Sequence, residues 1–153
     1  MTAYFFDSSA IVKRYVVESG TAWVSNTTDL AAGNKVYLCR ITFVEVISAI
    51  MRRARALELS STEAMKAIAD FRYDFAQEYS LIELSPTVVE SAGELAEQHA
   101  LLAYDAVQLA AAAEINSEMN SVSSAITLIS ADTALNAAAI AEGLAVEDPN
   151  THP

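Results

Sequence analysis

Four carboxylates in this chain stand where surface solubility does not account for an acid. Asp7 directly follows the apolar run AYFF at 3–6, and Asp132 comes just after the run AITLIS at 125–130. Asp105 lies near the start of an alanine-rich apolar segment, and Glu45 interrupts the stretch TFVEVI at 42–47. An isolated carboxylate among apolar neighbours must be protonated, paired with a cation or bound to a metal, because a bare buried charge is strongly destabilised. The nine Lys and Arg residues are too few, and mostly too surface-like in context, to pair all four. Hard divalent cations with oxygen ligands, Mg²⁺ or Mn²⁺, are the economical partner. Two such ions about 4 Å apart would activate a water and stabilise the leaving oxygen of a phosphodiester during in-line displacement. Such chemistry needs acids and little else, which suits a chain with two histidines.

Each acid also has a local explanation. Asp7 and Asp132 are competent helix caps, Asp105 is a first-turn acid favoured by the helix dipole, and Glu45 is a candidate snorkelling surface residue. Jointly these explanations are weaker, because capping explains neither the convergence of two strand-end acids nor the apolar surroundings of Glu45.

The elements that must position these acids follow from periodicity and punctuation. Residues 3–6 form a strand too short for a helix, and the turn Asp7-Ser8-Ser9 opens a helix from Ala10 to about Val17, with a second at 21–30. A strand at 36–39 leads to a helix from Ile41 to about Leu57, and Ser60 and Glu63 have capping-box spacing for a long helix to about Tyr79. A strand at 81–84 precedes Ser85-Pro86, a cap followed by proline at the first helical position, and a helix to about His99. Helices at 103–119 and 131–142 flank the strand 125–130, with a final strand at 144–146 and a stop at Gly143. Strands separated by helices cannot pair as hairpins, so the fold class is α/β, a three-layer α/β/α sandwich on a mostly parallel sheet. Sites in such sheets form beyond the carboxyl ends of the strands.

The length of 153 residues predicts a single domain over 1–148 with a short tail, 149–153, in which His152 is expected to be disordered. The N-terminus lacks the pattern of a signal peptide, no apolar segment is long enough to span a bilayer, and Cys39 has no partner, so a cytoplasmic location is expected. The net charge of −11 argues against a polyanionic substrate, but its distribution softens the objection. Residues 1–72 carry nine bases and seven acids, a sum of +2, whereas residues 73–153 carry thirteen acids and no Lys or Arg. A phosphate-steering surface must therefore come from Lys13, Arg14, Lys35, Arg40 and the cluster Arg52, Arg53, Arg55, or from another chain. Arg40, just after the second strand, is the first choice for a phosphate-facing cation. Tyr104 is read as packing in preference to base stacking.

The segments YFFDSSAIVKRYV, TFVEVISAI, LLAYDAVQLAAA and ISADTALNAAAIAEGLAV, in this order, resemble the PIN domain, specifically VapC-type toxins of toxin–antitoxin systems. The resemblance implies a PIN-like sandwich, Mg²⁺- or Mn²⁺-dependent cleavage of RNA, inhibition by a cognate VapB-like antitoxin that also binds DNA, and a homodimer. It assigns Asp7, Glu45 and Asp105 as metal ligands and Asp132 as the fourth acid, with Ser8 and Ser130 in support. Two rivals remain. An Asp-nucleophile phosphatase would need a second Asp where Ser9 stands, and a receiver-like or protein-binding module would bind metal without turnover.

Overall fold

The computed structural model describes residues 2–153. Strands β1 (Ala3–Phe6), β2 (Lys35–Cys39), β3 (Ser80–Ile82), β4 (Thr127–Ile129) and β5 (Ala145–Glu147) form one sheet in the order β3-β2-β1-β4-β5. Every pairing is parallel. The helices are α1 (Ser8–Ile11), α2 (Thr21–Thr28), α3 (Thr42–Arg55), α4 (Ser61–Gln77), α5 (Pro86–His99), α6 (Ala103–Asn120) and α7 (Thr133–Ala141).

Alternation along β1 divides the core. Ala3 and Phe5 face the buried residues of α5, α6 and α7, whereas Phe6 faces those of α1 to α4, giving the three layers. The alanines Ala110, Ala111 and Ala112 are buried, as expected for a helix lying close on its neighbours. On the other face Phe43, Phe71 and Phe75 stack and tilt together with centroids 5.1–6.1 Å apart, tying α3 to α4. The Ser60–Glu63 capping box forms with both reciprocal bonds, and Ser85 caps α5 ahead of Pro86.

The strand order reverses at β1. The chain winds outward through β2 and β3 on one side and returns to β4 and β5 on the other, so β1 and β4 are neighbours, with Phe6 opposite Ile129. A crevice opens beyond their carboxyl ends at such a switch point.

Three local expectations change. The first helix starts at Ser8, because Asp7 is its cap, and tightens at Val12–Arg14 into a 3-10 turn. Ile11, Val12 and Lys13 are buried in succession, which the single stripe of a surface α-helix does not allow. The strand at 125–130 shortens to Thr127–Ile129, matching the three residues of β1 and of β5 that pair with it. The tail is ordered: Pro149–Thr151 makes a 3-10 turn, Pro149 is buried, and the His152 ring stacks on Trp23 at 4.5 Å. His152 Nε2 also meets Glu147 Oε1 at 2.7 Å. The partner is an aromatic face more than a hundred residues away in sequence, so local polarity misleads there. Among the described residues no helix is long and apolar enough to cross a membrane.

Candidate active site

Asp7 sits at the switch point. Its backbone N–H donates to Ile129 O at 3.1 Å, extending the β1–β4 pairing by one step. The side chain is 2% exposed. Its Oδ1 accepts from the Ala10 amide at 2.9 Å and from Ser9 Oγ at 2.7 Å, and its Oδ2 accepts from Ser130 Oγ at 2.7 Å. The two hydroxyls are themselves held from the β4 side: Ser9 Oγ accepts from the Ala131 amide and Ser130 Oγ from the Asp132 amide, both at 3.0 Å. Burial pushes the Asp7 carboxyl up to about 7, against the pull of Ser130, Ser9 and the Ala10 amide, with the Glu45 charge adding to the rise.

Glu45 lies in the first turn of α3. Its Oε2 accepts from Ser8 Oγ at 3.0 Å, and its Oε1 accepts from Gln108 Nε2 at 2.7 Å, an amide that also donates to the buried Thr42 Oγ1 at 2.8 Å. Burial raises the Glu45 carboxyl against these two bonds, and the charge of Asp105 raises it further. Asp105, in the first turn of α6, is raised by burial and then by Asp132. Asp132 caps α7, its Oδ1 accepting from the Leu135 amide at 2.8 Å.

The local roles read from sequence are thus realised for the two caps and the first-turn acid, and the four acids nonetheless converge. Asp7 feels Glu45, Glu45 feels Asp105, and Asp105 feels Asp132, a chain of like charges in a half-desolvated crevice. Helix N-termini favour each acid singly; ionised together they repel one another, a repulsion that protonation or a cation would relieve. An all-oxygen set suits Mg²⁺ or Mn²⁺. Gln108 Oε1 and Asn136 Oδ1, on the helices carrying Asp105 and next to Asp132, are buried acceptors without a donor among the described residues. As the side chains stand, no three acid, His or Cys groups among the described residues are gathered around a common ion position. The Asp7 and Glu45 carboxylates are turned to serine hydroxyls and the Gln108 amide, and Asp132 to the Leu135 amide. By donor chemistry the residues fit.

Beside the acids runs a cleft of about 480 Å³ lined by Ser8, Ser9, Glu45 and Tyr104 at one end and by Lys13, Arg52 and Arg53 at the other. Tyr104 is 58% exposed on this wall, not packed in the core. Arg40 does not line it: its guanidinium pairs with Glu83, Nε to Oε2 at 3.1 Å, and lies over the Phe75 ring. Ser8 serves Glu45, whereas Ser9, which sequence reasoning passed over, serves Asp7. Gln108 was also missed, although it is the one polar residue between Ala106 and Ala113. That interruption was its signal.

An α/β domain with acids gathered beyond its switch strands is the class that fold and site define. The PIN domain family model matches residues 4–141, and the chain belongs to that family. Ribonuclease VapC45 and Ribonuclease VapC49 of Mycobacterium tuberculosis are each 36% identical over 112 residues, 73% of this chain and 76% of theirs, so the likeness is of the VapC type. Among solved structures, PAE2754 from Pyrobaculum aerophilum matches with a TM-score of 0.66 at 18% identity, covering 98% of this chain and 85% of that one. VapBC2 from Rickettsia felis, bound to a DNA fragment from its promoter, matches with a TM-score of 0.62 at 17% identity, covering 96% and 98%. At such identities the structures speak for the fold.

Proposed function

We propose that this protein is a Mg²⁺- or Mn²⁺-dependent endoribonuclease, the toxin of a toxin–antitoxin pair, acting in the cytoplasm. The observation that carries the reading is the convergence of Asp7, Glu45, Asp105 and Asp132, from four remote segments, on the carboxyl edge of β1 and β4, each of the first three raised in part by the next acid. RNA as substrate is supported by the activity in the names of the two tuberculosis relatives. A VapB-like, DNA-binding antitoxin is supported by the Rickettsia VapBC2 complex with promoter DNA. A homodimer is part of the same reading, and exposed apolar side chains such as Leu57, Met65 and Val122 offer surface for either partner.

In this mechanism the four acids would hold the cation, and the chemistry it would supply is positive charge for activating a water and stabilising the leaving oxygen. Ser9 and Ser130 keep both Asp7 oxygens oriented, and Ser8 and Gln108 do the same for Glu45. Asp7 must give up its proton to act as a ligand, so metal affinity should rise with pH through about 7.

The test is cleavage of a panel of structured RNAs with Mg²⁺, Mn²⁺ or EDTA, beside Asp7→Asn and Asp105→Asn. Asn keeps the cap at position 7 but not the charge. Metal-dependent cutting reduced by more than about 100-fold in both variants is expected. Undiminished cutting by either variant would remove that residue from the ligand set, and metal binding without cutting would favour the binding module.

A further inference from the structure

The cleft beside the acids is bipolar, and its basic end is incompletely paired. Lys13 is 4% exposed, in the 3-10 turn after α1, and among the described residues its ammonium makes one hydrogen bond, to Glu18 Oε1 at 2.9 Å. An ammonium has three donors. Arg53, in the last turn of α3, gives its second terminal nitrogen to Glu18 Oε2 at 2.6 Å, while its first is buried with no partner among the described residues. One carboxylate therefore serves two cations, leaving a net positive charge and unsatisfied donors in a half-enclosed cleft. Such donors are costly unless something fills them.

We propose that Lys13 and Arg53 form a subsite for a backbone phosphate of the RNA strand, held at rest by Glu18 as an internal stand-in for that phosphate. The two oxygens of Glu18 bridge a lysine and an arginine as two oxygens of a phosphate would, and a phosphate has further acceptors for the donors that Glu18 leaves unfilled. Glu18 is placed to be displaced. It lies in the loop between the 3-10 turn and α2, next to the 90% exposed Val17, and its backbone is tied separately, its N–H donating to Thr21 Oγ1 at 2.9 Å.

Helix α3 sets the distance to the chemistry. Glu45 in its first turn and Arg53 in its last are eight residues apart, about 12 Å at 1.5 Å per residue. That length corresponds to a few phosphates at most, since neighbouring phosphates of a strand lie farther apart than the ~3.4 Å axial rise per nucleotide. A strand gripped at Lys13 and Arg53, with Arg52 on the same wall, thus lays a phosphate a short way along the chain against the acids. The internal counter-ion also has a consequence for a protein of charge −11: the cationic end is masked from small anions and opens to a polyanion that gains enough contacts elsewhere to displace Glu18.

The identity of the strand as RNA rests on the nuclease reading; the subsite itself does not, and the experiment separates the two. Binding of a short fluorescein-labelled single-stranded RNA is followed by anisotropy in EDTA at several salt concentrations. Glu18→Gln should bind roughly five- to tenfold tighter, with a salt slope steeper by about 0.7 for each phosphate newly contacted. Arg53→Gln should bind several-fold weaker with a shallower slope, and Lys66→Gln, an exposed position of α4, should match the wild type. A purely structural Lys13–Glu18–Arg53 triad predicts the opposite sign for Glu18→Gln, which would then bind no better or worse than wild type, and that result overturns the proposal. Should Glu18→Gln not fold, Arg53→Gln decides, since undiminished binding by it also overturns the proposal. Tighter binding by Glu18→Gln of poly-glutamate but not of RNA would assign the subsite to an acidic peptide and overturn the RNA assignment. Tighter RNA binding with no cleavage in Mg²⁺ or Mn²⁺ would leave the subsite standing and remove the nuclease.

Discussion

At the scale of single residues, Asp7 couples the site to stability. Its carboxyl is raised from 3.8 to about 7 by burial, so between those values the folded chain keeps a proton that the unfolded chain has released. Folding stability therefore falls as pH rises through that window and levels off above it. Asp7→Asn removes the penalty while keeping an acceptor for the Ala10 amide. In EDTA the variant should be more stable than wild type by about 2–4 kcal/mol at pH 8, with the gain shrinking towards pH 4. Urea unfolding at a series of pH values checks this, and a pH-independent loss of stability would mean that the serine network tolerates only a carboxylate.

Among the elements, the joint between the tail and α2 is the most demanding contact. Gly20 caps α2 at φ +87°, and a Cβ there would come within 2.4 Å of the Pro149 carbonyl oxygen. Both the left-handed backbone and the close approach require glycine. Gly20→Ala should cost at least about 2 kcal/mol by denaturant unfolding. It should also lift His152 from Trp23, the single tryptophan, so that indole emission reports the loss directly. Unchanged emission would show that the stack survives without the Gly20 contact. The helix starts, by contrast, were legible from local chemistry. The capping box at Ser60 and Glu63, the Ser85 cap with Pro86, and the strand-end position of Asp7 are short-range patterns in which the backbone's unsatisfied N–H groups dictate the residue type.

For the whole molecule, the four acids come from the end of β1, α3, α6 and the cap of α7, segments that only the folded sheet brings together. An ion held by them binds the native state and not the unfolded chain. Mn²⁺ at about 100 times its Kd should therefore add about 2.7 kcal/mol to the stability of the wild type. The gain should be larger at pH 8 than at pH 6, because Asp7 must lose its proton, and largely absent in Asp105→Asn. Thermal unfolding with and without Mn²⁺ measures it, and an equal gain in the variant would place the ion elsewhere.

Much of this protein is written in the order of its residues. Alternating strands and helices leave a parallel sheet as the feasible arrangement, such a sheet opens its crevice at the carboxyl ends, and acids following two of those strands mark the candidate site there. The tertiary structure decided the partners. Ser8 and Ser9 are adjacent in the chain, yet one turns to Glu45 and the other to Asp7, because successive residues of a helix point about 100° apart. Arg40 and Arg53 were both candidate phosphate ligands, but Glu83 at the end of β3 draws Arg40 off the cleft, while the last turn of α3 delivers Arg53 to Glu18 inside it. Position along the chain determines which backbone element a residue joins. Which charge it meets depends on how distant elements pack, and a long side chain takes the nearest opposite charge within its reach.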